Sequence, residues 1–146
     1  MRTRTALTAA LVVVAAAGSL SPAVAASKAK PKPIKIAYTA TALPDPTSTN
    51  PVTGEVCAST LPTAKFSHTF KVPAAGVLDI ALNNQMDWSL AIRDADGETL
   101  ASSDGGTPTD PEAATVRFKK AGTVSIDTCN FAGEPSIDVT GSFTYK

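Results

Sequence analysis

The sequence predicts an all-β protein, a single antiparallel sandwich or barrel of about eight strands closed by one disulfide. Three observations carry that prediction. From residue 34 onward apolar residues recur with period two. Gly, Pro and Asp interrupt the alternation at intervals of roughly 8–12 residues. No segment carries the 3.6-residue period of a helix that could cross over between parallel strands. The 146 residues, 43% apolar and 5% aromatic, fit one domain. With 13 basic and 13 acidic residues the chain has no net charge to draw in nucleic acid or an anionic bilayer, so neither is expected as a partner.

The fold is expected to begin only after an export signal spanning residues 1–26. Arg2 and Arg4 form a positive n-region, Ala6 to Leu20 is an apolar run of small residues, and Ala23-Val24-Ala25 supplies an A-x-A cleavage pattern. That run is too short for a stable membrane anchor, and no second one follows, so the product is expected to be exported, soluble and monomeric. Export decides the cysteine chemistry. Cys57 and Cys129 are the only thiols, and in an oxidising compartment they are expected to pair across a 72-residue separation, closing most of the domain. Residues 27–33, with Lys28, Lys30, Pro31, Lys32 and Pro33, read as a flexible basic leader, a spacer that could also touch an acidic cell-wall polymer. The domain itself is placed at residues 34–146.

The first strand is Ile34-Lys35-Ile36-Ala37-Tyr38-Thr39, apolar on alternate positions. Leu43 to Pro62 contains Pro44, Pro46, Pro51 and Pro62 among Thr, Ser and Asn, so it reads as a long loop pinned by Cys57. Ala64 to Val72 places Phe66, His68, Phe70 and Val72 on one face. After the turn at Pro73 to Gly76, residues 77–83 point Leu78, Ile80 and Leu82 inward. Trp88, Leu90 and Ile92 alternate with Ser89, Ala91 and Arg93 before Asp94-Ala95-Asp96-Gly97, where Gly97 supplies the positive φ of a tight reversal. Glu98 to Ser103 returns. A loop from Asp104 to Pro108 precedes Ala113 to Phe118, and a turn at Lys119 to Gly122 leads to Thr123–Cys129 and finally Ser136–Tyr145.

Three passages between Phe66 and Tyr145 resemble the bacterial pre-peptidase C-terminal domain, a secreted module often appended to extracellular hydrolases. Phe70-Lys71-Val72-Pro73-Ala74-Ala75-Gly76-Val77-Leu78 is similar to its opening strand and turn. Residues 87–103, with the Asp94-Ala95-Asp96-Gly97 turn and the return through Leu100-Ala101-Ser102-Ser103, are similar to its central hairpin. Lys120-Ala121-Gly122-Thr123-Val124-Ser125-Ile126 is similar to a late strand. The resemblance implies a β-sandwich of jelly-roll type and a role in binding or stabilisation, not bond cleavage. Where that family places an acid before the leucine of the central strand, this chain has Ser89.

Candidate chemistry is sparse. His68, the only histidine, shares a face with three apolar residues and reads as a core or rim residue, with no G-x-S-x-G elbow for it to serve. Asp94, Asp96 and Glu98 could gather a calcium ion, but no residue fills the bidentate position of a known calcium loop, and a plain hairpin turn is the expectation. Trp88 is expected in the core, and Phe131 is expected to pack over the disulfide. The expected product is a secreted, non-catalytic binding or accessory module without cofactor, whose partner is an extracellular protein or cell-wall polymer. The alternative is a small secreted hydrolase or protease inhibitor acting through its loops.

Overall fold

The computed structural model describes residues 29–47, 54–59, 61–83, 87–105 and 111–146. The proposed signal segment lies outside them. Of the leader, residues 29–33 are exposed and without secondary structure.

Eight strands follow in order: β1 (Ile34–Thr41), β2 (Lys65–Val72), β3 (Gly76–Leu82), β4 (Trp88–Arg93), β5 (Thr99–Ser103), β6 (Ala113–Phe118), β7 (Gly122–Asn130) and β8 (Ser136–Tyr145). They form two four-stranded antiparallel sheets, ordered β1-β8-β3-β6 and β2-β7-β4-β5. The pairings show how the chain reaches this order. β1 pairs with β8, β2 with β7, β3 with β6 and β4 with β5. The chain is thus one long hairpin, its tip the β4–β5 turn, rolled up until β3 meets β8 and β4 meets β7. That is a jelly roll, and the roll leaves β1 over β2 and β6 over β5.

The strand interiors follow from the alternation. Ile36 and Ala40 from β1, Phe70 and Val72 from β2, Leu78, Ile80 and Leu82 from β3, and Trp88, Leu90 and Ile92 from β4 meet Ala114, Val116, Val124, Ile126, Ile137, Val139 and Phe143 in one core. Two glycines are required by close approach. A Cβ at Gly76 would overlap the Phe143 ring and the Thr144 carbonyl, and one at Gly141 would overlap the Asp79 carbonyl and Ile80. Gly97, at φ 85°, makes the tip turn.

Two features depart from simple alternation. Ser89 and Ala91, on the outer face of β4, are as buried as the core residues between them, because the β1–β2 connection folds over that face and is fastened there by Cys57–Cys129 (Cα–Cα 5.3 Å). Small residues leave room for it. Cys57 sits in the left-handed region at φ 60°, a conformation held by the bridge on one side and its packing on Ala91 on the other. Phe131 does not pack over the disulfide as expected; the half-buried side chain lying there is Val56. The fully buried Asn130 ties the same end together. Its amide donates to the carbonyls of Ala42 (2.9 Å) and Glu134 (3.0 Å), while its Oδ1 accepts from Gly133 N (2.6 Å).

Candidate binding face

The two sheets treat their outer faces in opposite ways. On the β2-β7-β4-β5 side, Asp127 lies beneath the disulfide loop with its side chain only 5% exposed. Arg93 reaches it with Nε at 3.3 Å, Lys65 approaches at 3.9 Å, and a second Arg93 nitrogen meets Glu55 at 3.4 Å. The Arg93 guanidinium also donates to Val56 O (3.0 Å) and Thr99 Oγ1 (2.7 Å), so it joins the loop to the β4–β5 hairpin. Asp45 fastens the loop's other arm. One carboxylate oxygen accepts from Thr47 N and Oγ1 and the other from Ser59 Oγ, and these bonds, the Ser59 one foremost, hold the carboxyl below its usual range. This cover lies over β4 and the adjoining part of β7, while Ser67, Thr69 and Lys71 on β2 and Leu100 and Ser102 on β5 stay exposed.

The outer face of β1-β8-β3-β6 has no such cover among the described residues. A groove of about 660 Å³ crosses all four strands, floored by Ala37, Ala81 and Ala113 and walled by Lys35, Asp79, Thr115, Thr140 and Ser142. It runs into a depression of about 380 Å³ beside Thr39, Asn83 and Asp138, sharing Ala37 and Thr140 with it. The carboxylates are oriented by neighbouring hydroxyls: Thr115 Oγ1 donates to Asp79 (2.7 Å) and Thr39 Oγ1 to Asp138 (2.9 Å). Each retains acceptor capacity toward solvent. The groove offers small apolar floor, fixed acceptors and one ammonium group.

Elsewhere the residues singled out from sequence have structural duties. Asp94 Oδ1 accepts from the amides of Asp96 and Glu98, both at 2.9 Å, closing the tip turn on itself. Among the described residues no three His, Cys, Asp or Glu side chains converge as a metal site. His68 lies at the rim, stacked on Tyr38 with ring centroids 4.3 Å apart and planes 20° from parallel. Burial first, and Asp127 second, push the Tyr38 phenol far up. Trp88 is in the core, 1% exposed. Asp87, at the mouth of the β3–β4 connection, is held above its usual value by burial and then by Asp104. Ser89 faces the disulfide in register with Cys129, fully buried, where a carboxylate would have no cation of its own.

Sequence reading missed the Arg93–Asp127 pair, Asn130 and the groove. The first two lie at strand ends, where charged and amide residues ordinarily face water. The groove is spread over four strands, and no local signal could have marked it. Together, fold and faces define a disulfide-closed jelly-roll sandwich with one sheet covered at its centre and one open across its width. No family model matches the chain, and no curated protein matches its sequence.

Proposed function

We propose that the protein is an exported, non-catalytic binding module of the pre-peptidase C-terminal type, and that the open face of the β1-β8-β3-β6 sheet holds its ligand. The observation that carries this reading is the contrast between the faces: the centre of one is covered by the disulfide loop and a buried ion pair, while the other keeps a groove across all four strands. The bridge itself supports residence in an oxidising compartment.

The groove's chemistry favours an extended, hydroxyl-bearing polymer. Fixed carboxylate acceptors suit hydroxyl donors, and a floor of alanines lets a chain lie close without an aromatic platform. Affinity electrophoresis through gels containing soluble polysaccharides tests this reading. Retardation by one of them is expected, with recovery of intact polymer. Ala37→Met and Ala113→Met, at exposed positions, should abolish it without moving the thermal midpoint. Retardation unchanged by both variants, or release of polymer fragments, would overturn the proposal.

A further inference from the structure

Formal neutrality conceals a separation of charge. The jelly roll brings the leader, the β2–β3 turn, the β6–β7 turn and residue 146 to one end of the sandwich. There Gly76 pairs with both Tyr145 and Phe118, Ile34 with Phe143, and Val72 with Gly122, while Lys146 N donates to Ala75 O (3.1 Å). Exposed around that end are Lys30 and Lys32 of the leader, Lys71 at the close of β2, Lys119 and Lys120 in the β6–β7 turn, and Lys146. None of these six takes part in an ion pair among the described residues. The acids described at this end are Asp94, Asp96 and Glu98 of the β4–β5 turn, on the side away from β1 and β2, and Glu55, which meets the Arg93 guanidinium that also reaches that turn; Asp94 is already bound to backbone amides and Glu55 to Arg93. The opposite end carries Asp87, Asp104, Glu112, Glu134 and Asp138, with Lys65 as its described cation.

We propose that the lysine-bearing end is a docking surface for a linear phosphodiester polymer at the cell exterior. Lysine is a point charge without arginine's fork, so six of them on turns and chain ends suit repeated, flexible anionic groups better than one fixed phosphate. Repeated contacts of this kind draw their free energy from counterion release. Of the exposed large apolar residues, Leu43 and Leu61 lie on the β1–β2 connection at the opposite end and Leu100 on the edge strand β5. The surface is separate from the groove; the assignment rests on the proposed export of the chain but not on the groove's ligand, and it stands if the groove holds none.

Titration of the exported chain with a synthetic glycerol-phosphate polymer, followed by fluorescence anisotropy, tests the assignment. Binding should weaken on the order of 10²-fold between about 50 and 200 mM salt. Replacing Lys119, Lys120 and Lys146 together with Gln should lower affinity at least tenfold at unchanged thermal stability, whereas the triple Arg variant and the groove variants Ala37→Met and Ala113→Met should bind normally. The proposal is overturned by a Gln variant that binds like the parent, by an Arg variant that fails with it, by salt-insensitive binding, or by duplex DNA or vesicles containing phosphatidylglycerol binding as tightly as the polymer.

Discussion

Arg93→Met isolates what holds the disulfide loop to its sheet. The substitution keeps most of the side chain's bulk and removes the cation nearest Asp127, leaving Lys65 at 3.9 Å as its remaining partner. It also removes the donors to Val56 O and Thr99 Oγ1. Stripping one partner from a buried ion pair costs about 3–5 kcal/mol, because the surviving charge stays desolvated. Asp127 meets that condition, having a side chain 5% exposed and one oxygen, Oδ1, with no hydrogen-bond partner even in the intact protein. In a domain of roughly this size about 4 °C of melting temperature goes with each kcal/mol, so a fall of roughly 12–20 °C is expected. Adding Asp127→Leu removes the stranded charge and should recover most of the loss, since an apolar pair in a buried ion pair's place is often neutral. Urea unfolding of the four proteins of this double-mutant cycle gives the coupling directly. A loss below about 1 kcal/mol for Arg93→Met, or a double variant no more stable than the single, would refute the reasoning.

Further outcomes follow from the same structure. Cys129→Ser should cost about 2–5 kcal/mol, measured by urea unfolding, because the bridge closes a 72-residue separation; intact-mass measurement of the protein purified without reductant should find it two hydrogens lighter than the free-thiol chain. The Asp45 carboxyl is held below its unfolded value, chiefly by Ser59, so its contribution is fully present above about pH 4 and is lost as pH falls through the lowered folded value; Asp45→Asn should flatten that acid limb in melting curves taken across acidic pH. Calcium at about 10 mM should leave the melting temperature unchanged, because the Asp94 carboxylate is spent on its own turn; a rise of several degrees that Asp96→Asn abolishes would show a bound ion.

Much of the fold was legible because each strand's own residues encode its period. Ile34-Lys35-Ile36 and Trp88-Ser89-Leu90 name a face without reference to any partner, and Asp96-Gly97 names a reversal. The Cys57–Cys129 bridge was legible because two thiols in a chain whose first residues read as an export signal leave one intramolecular pairing. What the alternation cannot express is which outer face is covered. Ser89, Ala91 and Arg93 read as a solvent face, yet the first two are buried and Arg93 half-buried because residues 54–59 lie on them, held by residues 37 to 72 positions distant. Asn130 was illegible for the same reason, its partner Ala42 being 88 residues away. The charge separation depends on which turns share an end, and that is a property of the roll.

The open sheet as ligand face is tested most directly by amide chemical-shift mapping of the isotope-labelled protein during titration with a polysaccharide that retards it in the gel. The account predicts perturbations clustered at Ala37, Thr39, Asp79, Thr115, Thr140 and Ser142, spread over all four strands of β1-β8-β3-β6. Perturbations gathered instead on residues 54–59 over the disulfide, or around His68 and Tyr38, would contradict it.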